Sequence, residues 1–323
     1  MVPVKKELPV FSLAPMAGYT DAPFRRLCFE GGLDLATTEM VSAKALYYGD
    51  KKTRQLMYLY PEEGPVALQL FGSEPEIFRG LFPKISRELT AFKHLEVNMG
   101  CPAPKIVKTG AGSALLNEPE TVREILKILV AESPIPVAIK IRKGFLEGEE
   151  TGLKIAEIAQ EEGVSLITVH GRSREAYYRG KSDRAFIGKV ISSVDLPVFA
   201  NGDIATLEDV LEFQNMGARG MAIGRGALGR PQLFAQLKGA LEGLPFQDTP
   251  PGELLALAKK QLLWTVEEKG DRLGVLEMRK HLIHYMKGLR EAKALRDELM
   301  HIQEPTEVAR FLDRIMEEYK KGP

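Results

Sequence analysis

The sequence predicts an α/β protein: a (β/α)8 TIM barrel followed by a small C-terminal all-helical domain. Three observations carry that reading. Eight short apolar, β-rich runs alternate with stretches of helical periodicity, which argues for a parallel sheet. The alternation occupies about 240 residues, the size of eight βα units. Beyond residue 241 no strand candidate appears, and only helical stretches remain.

The candidate strands, in order, are Val10–Ala14, Leu35–Glu39, Val66–Phe71, His94–Asn98, Val137–Ile141, Leu166–His170, Val198–Asn201 and Gly220–Gly224. Helical periodicity fills Pro75–Leu89, Glu118–Ala131, Thr151–Glu162, Asp183–Val194 and Thr206–Met216. Asp183 and Thr206 are suitable N-caps, and Gly163 and Gly217 suit the left-handed position after a helix. The connection from Glu39 to Pro65 is longer than a minimal one and predicts extra loop structure. The stretch EGLPFQDTPPGE, rich in proline and glycine, reads as a linker. It divides a barrel over residues 1–241 from a helical domain over 253–323, with 242–252 between them. Leu254–Lys269, Leu273–Leu289, Ala292–His301 and Thr306–Lys320 are the helices of that second domain.

Composition narrows the class. Apolar residues make up 44% of the 323, enough for a large core. The two cysteines, Cys28 and Cys101, do not form a disulfide framework, which fits a reducing, cytoplasmic setting. No CxxC, HExxH or His–Cys cluster predicts a metal, and no apolar run is long enough to span a membrane. The N-terminus faintly resembles a leader, but Glu7 and the prolines interrupt it. Net charge is zero, so nothing global calls for nucleic acid. Local charge does. Residues 279–296 hold six Lys/Arg against Glu291 alone, and 170–184 hold five against Glu175 and Asp183. One such cluster is usually a solvated face; two, with Lys105 and Lys108, point to a polyanion.

The most informative stretch is LEVNMGCPAPKIVKTGAGSALL (95–116). It leaves a strand at Asn98 and presents Cys101 before a proline, which keeps that residue out of helical backbone. Lys105 and Lys108 share a face if a helical turn forms. On spacing alone Cys101 is either a small buried hydrophobe or a working thiol.

In a barrel the chemistry lies at the C-terminal ends of the strands. There the sequence offers Ala14-Pro15-Met16, Glu39, Gln69, Asn98, Cys101, Lys140, His170, Asn201-Gly202-Asp203 and Gly224-Arg225. Each alone could be a satisfied core group. An amide, an amine, an imidazole and a thiol together indicate a cofactor site. Gly224 to Gly229 spells G-x-G-x-x-G, formally a dinucleotide fingerprint. No further strand follows its helix, so the glycines read better as the phosphate cradle of a barrel, holding a mononucleotide such as FMN.

These residues resemble a known family. LAPMAGYTDAPFR, VALQLFGSEPE, the Cys101 stretch, VAIKIRKGF, VHGRSR, PVFANGDI and GMAIGRGALGRPQLF resemble, in order, the motifs of the tRNA-dihydrouridine synthases. RKHLIHYMKGL resembles that family's helical tail. The resemblance implies an FMN-binding barrel with a helical tRNA-binding domain. It implies reduction of the C5–C6 double bond of D-loop uridines, with NADPH or NADH as reductant; no obligate protein partner is evident in the sequence. It places Ala14, Pro15, Met16, Gln69, Lys140 and His170 around the flavin. Asn201, Gly202, Asp203, Gly224 and Arg225 fall at its phosphate end. Asn98 orients the uracil, and Cys101 is the general acid. Lys105, Arg172, Arg174, Arg279, Lys287 and Arg290 are the candidate RNA contacts, and the GAGSALL loop is expected to order over the base. Two alternatives remain at this stage: an FMN barrel acting on a free pyrimidine, as dihydroorotate dehydrogenases do, or a non-catalytic RNA-binding protein. The basic helical tail speaks against the first and the retained Cys101 and Lys140 against the second.

Overall fold

A computed structural model describes residues 8–61 and 63–320. Glu7, part of the leader-like segment, lies outside the described residues. The strands are β1 (Val10–Leu13), β2 (Leu35–Thr37), β3 (Val41–Ser42), β4 (Val66–Phe71), β5 (Leu95–Met99), β6 (Val137–Arg142), β7 (Leu166–His170), β8 (Val198–Asn201) and β9 (Gly220–Ile223). Their order is β2-β1-β9-β8-β7-β6-β5-β4-β3, and a β2–β4 pairing closes the ring. Every pairing is parallel. Eight strands thus form the predicted barrel. β3 is an addition that pairs with the last residues of β4, Leu70 and Phe71, beyond the reach of β2. Closure leaves no long strand edge exposed.

The strands form because their apolar residues fill the barrel and the layer around it. Phe11, Leu13, Leu68, Leu70, Val97, Ile139, Ile141, Ile167 and Val169 are fully buried. The first helix, α1 (Ala22–Glu30), follows β1. The long connection after β2 holds β3, α2 (Ala43–Tyr47) and α3 (Lys51–Gln55). Next come α4 (Pro75–Leu89), α5 (Pro104–Val107), α6 (Pro119–Glu132), α7 (Thr151–Glu161), α8 (Arg184–Ser193) and α9 (Leu207–Asn215). Local chemistry sets their ends as expected. Asp183 accepts the Phe186 N–H at 2.9 Å, and Thr206 and Asp209 form a reciprocal capping box.

By contacts the chain divides into two compact units, residues 1–20 with 33–224, and residues 21–32 with 225–323. The second unit contains α1, α10 (Leu233–Leu241), α11 (Pro251–Lys269), α12 (Asp271–Tyr285), α13 (Ala292–Leu299) and α14 (Pro305–Lys320). This differs from a single cut in the linker, and packing is the reason. Leu27 of α1 is buried among Leu255, Leu262, Met278 and Tyr285. Asp21 caps α1 through the Phe24 N–H at 3.2 Å, and its other oxygen meets Lys269 Nζ at 2.5 Å. A side chain on Gly31 would lie 2.1 Å from the Pro231 carbonyl oxygen. The third glycine of the false dinucleotide fingerprint is explained here too. Gly229 has φ +71° and no room for a Cβ beside the His284 main chain.

Candidate active site

Alternation along the strands aims polar side chains into the barrel mouth. Glu96 and Asn98 share a face of β5, two residues apart. Register places Gln69 beside Glu96, Lys140 beside Asn98, and Asn201 beside His170. The side chains then join. Gln69 Nε2 donates to Glu96 Oε1 at 2.7 Å, and Asn98 Nδ2 donates to Gln69 Oε1 at 2.8 Å. Asn98 Oδ1 accepts the Gly100 and Cys101 N–H groups at 3.1 and 2.9 Å. Across the mouth Lys140 Nζ donates to Asn201 Oδ1 at 2.9 Å, and Asn201 Nδ2 donates to the Ala222 carbonyl at 2.6 Å.

Cys101 is half-buried and firmly seated. Ser113 donates to its carbonyl from both the N–H (3.1 Å) and Oγ (2.9 Å), and Arg142 Nε ties down the Gly100 carbonyl at 2.7 Å. Burial pushes the thiol above its ordinary pKa, against the opposing pull of the Ala103 N–H, Arg142 and Lys140. The thiol therefore keeps its proton at neutral pH. Burial also lowers Lys140 to about 8; the Glu96 carboxylate raises it and the Arg142 guanidinium lowers it further. Glu96 is raised by burial, with Lys140, Gln69 and Thr168 opposing.

The far side of the mouth suits an anion. Gly202 and Asp203 have successive positive φ values, +125° and +52°, a bend that requires glycine at its first position. A Cβ on Gly202 would lie 2.3 Å from Ser182 Oγ, a buried hydroxyl with no hydrogen-bond partner. A Cβ on Gly224 would meet Met16 Sδ at 3.4 Å and Ala14 Cβ at 3.8 Å, so these residues crowd one rim. The unused Ser182 hydroxyl and the Lys140 ammonium are donors that fit a phosphate-bearing mononucleotide. Pro15 lies between Ala14 and Met16, just past the end of β1. Arg225 follows Gly224 in the chain and opens the second unit.

The sequence matches the model of a family described as Dihydrouridine synthase (Dus) over residues 12–320. The chain belongs to this family. It is 37% identical over 290 residues to "tRNA-dihydrouridine synthase B" of Pseudomonas syringae pv. tomato, covering 88% of this chain and 85% of that one. It is 34% identical over 304 residues to "Probable tRNA-dihydrouridine synthase 1" of Synechocystis, covering 93% and 84%. Among solved structures it resembles TcOYE solved with pHBA (TM-score 0.55, 8% identity, 76% of this chain and 92% of that one). An old yellow enzyme homologue from Zymomonas mobilis is similar (TM-score 0.51, 10% identity, 74% and 90%). At such identities these two share only the fold.

The residues expected to meet RNA fall into two groups in this dihydrouridine synthase. Lys105 on α5 and Lys108 just after it are exposed, as are Lys287 and Arg290 of the helical unit. Arg172 differs: it is 4% exposed, and its guanidinium bonds Asp203 Oδ2 (2.6 Å), the Gly180 carbonyl (2.6 Å) and the Arg179 carbonyl (3.1 Å). Its charge serves the fold beneath His170 and Asp203 rather than a phosphate at the surface. Arg279 likewise turns inward, donating to the Ile302 carbonyl at 2.6 Å. Arg174 is half-buried, 5.0 Å from the Phe145 ring centroid. The GAGSALL stretch is not an open loop. Gly112–Asn117 is a 3₁₀ helix with Gly112, Ser113, Leu115 and Leu116 buried. Sequence reading passed over Glu96, Arg142, Thr168 and Ser113. The period-2 alternation of Glu96 with Asn98 was the available signal for the first.

Among the described residues no group of three His, Cys, Asp or Glu could hold a metal. No helix there is long and apolar enough to cross a membrane.

Proposed function

We propose that this protein reduces the C5–C6 double bond of specific uridines in the tRNA D loop, using FMN held at the barrel mouth and NADPH or NADH as reductant. The observation that carries the reading is the half-buried thiol of Cys101 on the same barrel mouth as Lys140, whose Nζ stands 2.9 Å from Asn201 Oδ1. Reduced FMN, when bound, supplies a hydride for C6 of the uracil. The protein must then provide a proton at C5. Cys101 Sγ holds one at neutral pH and needs no activation to a thiolate. Lys140 Nζ, kept near Asn201, would stabilise negative charge developing on a flavin held at this mouth. Met16, Ala14 and Pro15 would supply the apolar side of the cleft, with His170 beside it; Gln69 is fully buried with both ends of its amide bonded to Glu96 and Asn98, so it acts from beneath the mouth rather than on the flavin. Asn201, Gly202, Asp203, Gly224 and Arg225 suit the phosphate end. Asn98 orients the base. Leaving the RNA stack costs the base a few kcal/mol, which phosphate contacts at Lys105, Lys287 and Arg290 offset.

The test is mass-spectrometric mapping of dihydrouridine in unmodified tRNA transcript given purified protein and NADPH. Wild type is expected to modify a D-loop position, and Cys101→Ala to lose on the order of 10²–10⁴-fold in rate while still binding flavin. A bound, reducible flavin with no change at any tRNA position would remove the substrate assignment.

A further inference from the structure

The barrel mouth keeps a carboxylate that packing does not require. Glu96 is 2% exposed on β5, flanked by Leu95 and Val97, both fully buried. Burying a carboxylate costs several kcal/mol before its hydrogen bonds are counted, and well-packed apolar residues are often no less stable at such positions. Both oxygens are in use: Oε1 accepts from Gln69 Nε2 at 2.7 Å, and Oε2 accepts from Thr168 Oγ1 at 3.3 Å.

The polarity of the bonded chain explains the choice. At its far end stand the N–H groups of Gly100 and Cys101, which can only donate. Asn98 must turn its oxygen toward them and its NH2 toward Gln69. Gln69 must then turn its oxygen toward Asn98 and its NH2 onward. Its own main-chain N–H is pinned to Thr38 Oγ1 at 3.0 Å, which fixes the pivot. Whatever ends the chain has to accept. Both Glu96 oxygens accept, from Gln69 and from Thr168, so the carboxylate offers no competing donor and admits only this arrangement.

We propose that Glu96 is a positioning residue for Cys101: through Gln69 and Asn98 it holds the Gly100–Cys101 main chain and thereby sets where the thiol stands. The inference deepens the reading of Cys101 as proton donor and rests on it. Glu96 does not touch the reacting atoms. Its charge could instead serve Lys140 alone, and one variant separates the two roles. Glu96→Gln keeps a carbonyl to accept from Gln69 and offers an NH2 to Thr168, but carries no charge.

The experiment is iodoacetamide alkylation of the native protein, with the modified residue located by peptide mass spectrometry and thermal unfolding recorded for each variant. Cys28 is fully buried, so the native reaction reports Cys101. Glu96→Met and Gln69→Met should each change the Cys101 alkylation rate by about threefold or more in the same direction. The double variant should change it no further than either single one, because both break the same chain. Glu96→Gln should restore the rate to within about twofold of wild type. A folded Glu96→Met protein that alkylates like wild type overturns the proposal, as does a Glu96→Gln protein perturbed as much as Glu96→Met. If Glu96→Met does not fold, Gln69→Met carries the same test, and a wild-type rate there is equally fatal. The readout involves neither tRNA nor flavin, so failure of the tRNA assignment and failure of the relay register separately.

Discussion

Lys140 gives a proton-counting test of the charge arrangement at the mouth. Burial brings it to about 8, against roughly 10.4 in an unfolded chain. That difference means the folded site disfavours the ammonium by about 3 kcal/mol. For a lysine with a lowered folded pKa, the penalty is fully present below about 8 and is relieved as pH rises toward the unfolded value. At pH 8 about half the molecules carry a neutral Lys140. A ligand that sets an acceptor or a negative charge against Nζ raises its pKa and draws a proton in. Binding of FMN to apoprotein at pH 8 should therefore take up roughly 0.4–0.5 proton, falling toward none at about pH 6 where the lysine is already charged. Isothermal titration calorimetry in two buffers of different ionisation enthalpy reads this number directly. Lys140→Met should abolish the uptake. Binding without uptake at pH 8, or undiminished uptake in Lys140→Met, would refute the reasoning.

Three further expectations follow from the same contacts. Arg142→Met strips donors from the Gly100, Ser173 and Tyr177 carbonyls; it should cost about 3 kcal/mol or more in unfolding free energy. It should also raise the pH at which Cys101 becomes reactive, since the guanidinium opposes the burial effect; an unchanged or lower alkylation midpoint would contradict this. Lys269→Met leaves Asp21 buried without the cation 2.5 Å away, at a cost of roughly 3 kcal/mol in denaturant unfolding, part of which Asp21→Asn should recover in the double variant. His94 and His281 are both lowered to about 4, chiefly by burial. The fold keeps them neutral while the unfolded chain protonates near 6.5, so their contribution is full above that pH and declines as pH falls toward 4. Between pH 7 and 5 the pair should cost on the order of 3–4 kcal/mol, and His94→Phe should remove about half of that dependence.

The barrel was legible because each strand is an apolar run bounded by turn residues, and parallel strands buried on both faces read that way. Strand limits such as Val66–Phe71 and Leu166–His170 came directly from the runs. α1 was missed because Arg25 and Arg26 interrupt its apolar face, although Asp21 and Pro23 marked its start. The family motifs fall at the strand ends that form one barrel mouth, but burial inverts the meaning of single residues. Arg172 and Arg279 count as surface charge in a sequence window, whereas the Asp203 carboxylate and the Ile302 carbonyl that hold them lie well along the chain. Glu96 sits in a run that reads as apolar, and only the closed barrel, which brings Gln69 of β4 and Thr168 of β7 to it, gives its carboxylate something to accept from.

The helical unit is discontinuous in sequence, since residues 21–32 belong with residues 225–323. During synthesis its first piece leaves the ribosome long before the rest. At about 5–20 residues per second, Leu27 waits on the order of ten to fifty seconds for the helices that will bury it. A tail transplanted between relatives at the linker would arrive without Leu27 and without Asp21, the partner of Lys269. The transferable module is therefore two segments of gene, and a chimera that exchanges only the second inherits a core with a missing piece.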